Sequence, residues 1–280
     1  MHYRHAFHAG GFADVVKHAV LARILLHLKG KPAAFRVIDT HAGAGLYDLA
    51  GAEASRTGEW RDGIARVLAA RLDPPVAALL APYLDVVATV NRGGPLLTYP
   101  GSPAIARAHL RPQDRLLACE LEPGAARTLA RHLGTDERTK AVVIDGWTAL
   151  AAYVPPKERR GIVLIDPAFE APDEFARLAD RLALAHGKWT GGIYLLWYPI
   201  KHRDECDAFA RRLRGLAIPK LLRAELTVSA PHDHLHGSGL VVVNPPWTLE
   251  RELAALLPAL AAILARDGTG GMRLDWLAGE

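Results

Sequence analysis

The feature that most constrains this chain is a repeated unit, a short apolar run that halts at an acidic residue and gives way to helix-forming sequence. It recurs at Phe35-Arg-Val-Ile-Asp39, Arg115-Leu-Leu-Ala-Cys-Glu120, Ala141-Val-Val-Ile-Asp145 and Gly161-Ile-Val-Leu-Ile-Asp166. Runs of this length read as buried strands, and the patterns between them read as crossover helices. The chain is therefore predicted to be α/β, with a mainly parallel sheet. A fifth run spans Gly192 to Tyr198, a sixth Leu221 to Val228 and a seventh Gly239 to Asn244. Only Ser229 to Ser238, with Pro231 and Gly237, separates the last two, so they are predicted to form a hairpin whose final strand runs antiparallel.

Between the first and second runs lie roughly seventy residues, far more than one crossover needs. Residues 50–98, rich in Ala and Leu at helical spacing, are predicted to be an inserted helical subdomain, leaving 1–49 and 99–280 as the main domain. With 280 residues, half of them apolar, the chain can bury a core without metal or disulfide. Cys119 and Cys206 show no C-x-x-C spacing and read as free thiols. The first residues lack an apolar signal core and no run is long enough for a membrane span, so a cytoplasmic location is expected. A net charge of +4 with 13 histidines suits a polyanionic partner. Arg211, Arg212, Arg214, Lys220 and Arg223, with His202 and Arg203 before them, read as a solvated face or a phosphate track.

The strand ends carry the candidate chemistry. Asp39-Thr-His41-Ala-Gly43-Ala-Gly45 is a glycine turn where a sheet edge faces ligand, and position 48 is Asp where a dinucleotide fingerprint has its third glycine. That favours a nucleoside without a pyrophosphate. Glu120 suits ribose hydroxyls, with Glu122 as a competitor, and Asp145-Gly146 suits an adenine amine. Asp166-Pro167-Ala168-Phe169 combines an acceptor and an aromatic face, which is equipment for gripping and stacking a flat, amine-bearing base drawn out of a nucleic-acid stack. The bland alternative for Asp166 is a helix cap, with Pro167 at the first helical position and Phe169 in the core.

Five parallel runs followed by a hairpin match the order of a Rossmann-like methyltransferase. Tyr3-Arg4-His5-x-Phe7-His8-Ala-Gly-x-x-Ala-Asp14-Val-x-Lys17-His18, then Asp39-Thr-His-Ala-Gly-Ala-Gly45, Tyr99-Pro-Gly-Ser102-Pro, Trp197-Tyr-Pro and Asn244-Pro-Pro-Trp247 together resemble the RlmJ family of ribosomal RNA adenine-N6 methyltransferases. The resemblance runs from residue 2 to about residue 277. It implies a class I methyltransferase fold, here with a seven-stranded mixed sheet and a helical insertion. It implies S-adenosylmethionine as donor and an adenine of 23S ribosomal RNA, naked or in an early assembly intermediate, as acceptor. No obligate protein partner is expected, and the chain is read as a monomer. Carried over residue by residue, it implies Lys17, His18, His41, Gly43, Ser102, Glu120, Asp145, Gly146 and Asp166 as cofactor contacts. Asp166, Pro167 and Phe169 become the catalytic group, and Tyr3, Arg4 and His5 the residues toward RNA. The family tetrapeptide is usually Asp-Pro-Pro-Tyr, so Ala168 lacks the fixed proline φ and Phe169 lacks a phenol.

Two decoys accompany these motifs. Asn244-Pro-Pro-Trp247 fits the generic amino-methyltransferase tetrapeptide better, yet it ends the antiparallel strand and so belongs at the wrong sheet edge, with Trp247 expected in packing. His232-Asp-His-Leu-His236 has ligand-like spacing without a convergent shell, and no metal is expected. The competing functions are a DNA adenine-N6 methyltransferase and a non-catalytic RNA-binding or assembly factor on the same fold; a nicotinamide oxidoreductase fits least.

Overall fold

The computed structural model describes residues 4–231, 235–266 and 268–279. Its strands are β1 (Arg36–Asp39), β2 (Leu46–Asp48), β3 (Thr98–Pro100), β4 (Arg115–Glu120), β5 (Thr139–Val143), β6 (Gly161–Ile165), β7 (Ile193–Ile200), β8 (Leu221–Thr227), β9 (Gly237–Val243) and β10 (Gly271–Ala278). The helices are α1 (Phe12–Lys29), α2 (Ala52–Thr57), α3 (Glu59–Asp62), α4 (Ile64–Ala69), α5 (Pro74–Val90), α6 (Ser102–His109), α7 (Pro123–Leu133), α8 (Gly146–Tyr153), α9 (Glu174–Lys188), α10 (Arg203–Arg214) and α11 (Leu249–Leu264). Among the described residues no helix is long and apolar enough to cross a membrane.

The main sheet has the order β10-β8-β9-β7-β6-β1-β4-β5. Strands β7, β6, β1, β4 and β5 are parallel, as their unbroken apolar runs predict, and β6 and β7 are buried along their whole length. Strand β9 lies antiparallel between β7 and β8, as expected of the hairpin. Because the chain leaves β1 for β4 and β5 and then returns to β6 on the other side, the sheet reverses between β1 and β6. A crevice opens there above the carboxyl ends of the strands.

The sheet has eight strands, where the sequence reading expected seven. The eighth, β10, pairs antiparallel with β8. Gly271-Met-Arg-Leu-Asp-Trp-Leu-Ala278 lacks the apolar signal of the other strands because it is an edge with most residues only partly covered. Charge holds it in register. Arg273 faces Glu225 and Asp275 faces Arg223, and the buried Arg223 guanidinium donates to both Asp275 oxygens at 2.8 and 2.8 Å.

Helix α1 is buried nearly all round, 13 of its 18 residues, because it packs between the sheet, α5, α6 and α11. Helices α2 to α5 lie between β2 and β3, whose short antiparallel pairing closes the base of the segment. Val67, Leu80, Tyr83 and Val87 belong to the same apolar cluster as Val15, Val20 and Leu25 of α1.

The Asn244-Pro-Pro-Trp247 motif follows β9, at the edge opposite the crevice. Asn244 sits in the left-handed region at φ +52, and its side-chain amide donates to the carbonyls of Thr190 and Gly192 at 2.8 and 2.7 Å, anchoring the loop that leads into β7. Trp247 is 86% exposed, so the expected packing role is wrong: the two prolines carry the chain toward α11 before the indole can turn inward. Replacing Asn244 with Ala removes two hydrogen bonds and puts a β-carbon residue in a left-handed conformation. We expect a loss of about 2–3 kcal/mol in urea unfolding, with an unchanged m-value.

Candidate functional site

The register of β1, β4 and β6 sets Asp39 level with Ala118 and Leu164, so the acidic strand ends lie along one edge. After β1 the chain turns through Gly43 and Gly45 at φ +63 and +81, a conformation that glycine adopts without cost. The Gly43 N–H donates to Glu120 Oε2 and the Glu122 N–H to Glu120 Oε1, both at 2.8 Å. Glu120 is thereby fixed at the end of β4 with lone pairs left over. Glu122, the competitor, is committed elsewhere: it caps α7, accepting from the amides of Gly124 and Ala125.

Asp145 also caps a helix, accepting from the Thr148 amide at 2.8 Å at the start of α8. Gly146 is a close-approach position, since a Cβ there would meet the Thr40 carbonyl at 2.4 Å and His41 Nε2 at 2.5 Å. The His41 ring stands edge-on to Trp147 at 5.3 Å and shares a hydrogen bond with Thr40 Oγ1 at 2.8 Å. Burial pushes its pKa down to about 4 against the pull of Asp166 and Asp145, so the imidazole is neutral near pH 7. Ser102, opening α6, donates to Asp39 Oδ2 at 2.7 Å. Asp39 Oδ1 is buried and accepts no hydrogen bond, and burial, aided by Asp166 and opposed by the Ser102 bond, pushes this carboxyl up to about 7.

Asp166 follows β6, and α9 begins only at Glu174, so the helix-cap alternative fails. One oxygen, Oδ2, lies 2.5 Å from Lys17 Nζ, which also reaches Asp14 Oδ1 at 2.9 Å. Burial alone would lower the Lys17 pKa, yet the two carboxylates outweigh it and raise it. Asp14 in turn accepts from the Gly10 amide at 3.0 Å and meets His5 Nε2 at 2.9 Å, and it is held well below the usual carboxylate range. His18, one residue after Lys17, is pushed down to about 3 by burial and shares a hydrogen bond with the Tyr99 hydroxyl at 2.8 Å, which Tyr83 meets at 2.9 Å. Phe169 adopts φ +51, an uncommon backbone for an aromatic residue, with its ring edge-on to Phe175 at 4.9 Å and Trp197 at 5.7 Å.

A cleft of about 250 Å³ opens beside Asp166. Asp14, Lys17, Asp166, Phe169 and Trp197 form its buried end, and His8, Glu59 and Lys201 stand at its mouth. His8 Nδ1 pairs with Glu59 Oε1 at 2.8 Å, which raises the His8 pKa.

The structure thus brings the nominated residues to one sheet edge, and it sorts them. Asp166, Lys17 and Phe169 line the cleft, while Gly43, Glu120, Asp145, Gly146 and His41 gather at the neighbouring strand ends. His18 and Ser102 are joined to Tyr99 and Asp39. Of the RNA-facing trio, Tyr3 lies outside the described residues, Arg4 is paired with Glu53 at 3.1 Å, and His5 is paired with Asp14. His232, Asp233 and His234 of the histidine loop also lie outside. The basic cluster is largely engaged in ion pairs: Arg212 with Asp180, Arg203 with Glu225, and Arg223 and Arg214 with Asp275. The sequence reading missed Asp39, Glu59 and Lys201 as members of the site. Asp14 was visible three residues before Lys17, the i,i+3 spacing of a helical ion pair.

Comparison with known proteins agrees with this architecture. Residues 32–278 match the model of the family described as ribosomal RNA large subunit methyltransferase D, RlmJ. Two curated relatives share the name ribosomal RNA large subunit methyltransferase J. The Escherichia coli (strain K12) protein is 40% identical over 280 residues, and the Haemophilus influenzae protein 39% over 281, each pairing covering 99% of both chains. A crystal structure of a Legionella pneumophila protein is 32% identical and superposes with a TM-score of 0.88 over 96% of this chain and 98% of that one. On its sequence, fold and extent of match, this chain belongs to the RlmJ family.

Proposed function

We propose that this protein transfers a methyl group from S-adenosylmethionine to the N6 amine of an adenine in 23S ribosomal RNA. The observation that carries the reading is Asp166: a carboxylate after a central parallel strand, capping no helix, beside an aromatic wall in a cleft wide enough for a flat base. The relatives' names point to ribosomal RNA as the polymer. The acceptor is naked RNA or an early assembly intermediate, and the protein acts as a monomer, with residues 50–98 as an inserted helical unit on the methyltransferase domain.

The residues present fit the donor. Asp39 Oδ1, buried and without a hydrogen-bond donor, is matched by the ammonium at the amino-acid end of S-adenosylmethionine. Glu120 keeps lone pairs for ribose hydroxyls. Gly43 and Gly146 let the strand-end loops pack closely on Tyr47, Thr40 and His41, and Asp145 with a neutral His41 flanks the adenine end. Ser102 and His18 support the site through Asp39 and Tyr99, and Lys17 through Asp166. Bound there, S-adenosylmethionine supplies an electrophilic methyl on a sulfonium.

The acceptor amine is a weak nucleophile, because its lone pair is delocalised into the ring. Asp166 Oδ1 and the Pro167 carbonyl each accept one N–H, favouring the pyramidal nitrogen and aiming its lone pair. Lys17 holds Asp166 Oδ2 so that Oδ1 faces the cleft. Positioning supplies much of the rate, and the surplus proton leaves nitrogen after the methyl is gained. Phe169 and Trp197 offer the apolar wall for the base, and His5 lines the same cleft.

Asp166→Ala should lower methyl transfer to deproteinised 23S RNA by at least about a hundred-fold while retaining binding of S-adenosylmethionine. Radiolabelled-methyl incorporation and calorimetry read the two, and wild-type turnover in the variant would sink the assignment. Wild-type preference for duplex DNA over RNA in the same assay would replace the acceptor. Asp39→Asn tests the cofactor end. The Asp39 carboxyl, at about 7 in the fold against 3.8 ordinarily, keeps a proton that the unfolded chain releases, so its contribution to stability is lost as pH rises from about 4 to 7. The variant should therefore gain in Tm relative to wild type between pH 4 and pH 8, while binding S-adenosylmethionine more weakly at pH 8.

A further inference from the structure

The cleft contains two lysines in opposite electrostatic situations. Lys17, at the buried end, is locked between Asp14 and Asp166 with its side chain 4% exposed. Lys201 stands at the mouth, exposed, one residue after β7 ends, and among the described residues it makes no ion pair. Among the described residues the other charged groups on the outer part of the lining are His8, Glu59 and Glu170, and His8 and Glu59 neutralise one another. Arg4 is drawn away to Glu53. Lys201 also acts electrostatically on His8, so the two share the same space.

A base gripped at Asp166 and Phe169 fixes where the rest of its nucleotide must go. The base fills the buried, apolar end, and the sugar and phosphates emerge at the mouth. Lys201 is the cation there that makes no ion pair among the described residues. We infer that Lys201 is a substrate-binding residue that seats a backbone phosphate of the extruded nucleotide. The inference rests on the RNA reading above and adds the residue that captures the strand. A lysine suits the task as a compact point charge that needs no planar partner. Phosphate contacts position a nucleic acid without reading its sequence, so the residue governs capture more than chemistry.

The test is steady-state methylation of deproteinised 23S RNA by the full-length protein over a range of salt concentrations, comparing wild type with Lys201→Gln and Lys201→Arg. For Lys201→Gln, KM for RNA should rise roughly three- to ten-fold and the slope of log KM against log salt should fall by about 0.7, the share of one single-strand phosphate. kcat and the affinity for S-adenosylmethionine should not change, and Lys201→Arg should restore most of the loss. An unchanged KM and salt slope in Lys201→Gln, with an active wild type, would overturn the phosphate seat alone. So would a fall in kcat at saturating RNA with KM unmoved. A wild type that binds S-adenosylmethionine but methylates no RNA would overturn the RNA reading and this inference with it.

Discussion

A lysine ammonium buried between two carboxylates is the constraint on which the rest of the site depends. Lys17 joins the first helix to the end of β6 through Asp166, and Asp14 joins that helix to the loop before it through the Gly10 amide and His5. Three charged groups this far from water are tolerated only because each is paired, and removing one leaves a buried charge uncompensated. The pairing therefore acts as a registry device. It fixes where α1 lies against the end of β6, and through Asp14 where the loop before α1 sits. Loss of the Asp166 carboxylate removes one of the two partners of Lys17, so the proposed activity and stability are coupled at this position.

Much of this was legible in the sequence, for a definable reason. Parallel strands buried on both faces need unbroken apolar runs, and the turns that follow them fall at the ligand edge. The runs ending at Asp39, Glu120 and Asp166 thus reveal element and site together. Asp145 shows the limit of the pattern, because it caps α8 while standing at the same sheet edge, and no sequence pattern separates a cap from a proposed cofactor contact. β10 was missed because the other strands announce themselves by unbroken apolar runs, whereas here Met272, Leu274 and Trp276 alternate with Arg273 and Asp275, the pattern of a half-covered edge strand. Asp39 stood in plain view as the end of β1, but its significance lies in an oxygen left unpaired once Ser102 has bonded the other. That depends on a residue 63 positions away.

The contribution of residues 52–69 was less legible still. Their periodicity announces helices and says nothing of what those helices hold. In the fold they grip the amino-terminal segment at successive points: Glu53 on Arg4, Thr57 on the Phe7 carbonyl, Glu59 on His8, and the Ile64 amide on the Gly10 carbonyl at 2.9 Å. Gly63 makes the last contact possible, since a Cβ there would lie 2.1 Å from the Gly10 oxygen. A segment that looks from sequence like an appendage thus contributes Glu59 to the cleft, and the loop carrying His5 and His8 is placed by it as much as by the sheet.

The departure at Ala168-Phe169 can be weighed against this geometry. Phe169 occupies the left-handed region, which its own residue type disfavours, so something other than local preference holds it there. The edge-on contacts with Phe175 and Trp197 supply that restraint, and the Trp197 indole is itself fixed by donating to Ser238 Oγ at 3.0 Å. With the backbone held from the far side of the ring, the fixed φ of a proline at 168 is not needed to shape the turn. A phenol at 169 would add a polar group to a ring whose edge already packs on two aromatics. The proposed amine acceptors, the Asp166 carboxylate and the Pro167 carbonyl, lie upstream of both changes, and Asp166 Oδ2 is held by Lys17. The variant tetrapeptide therefore keeps its conformation through packing from β7 and α9 and through the buried ion pair.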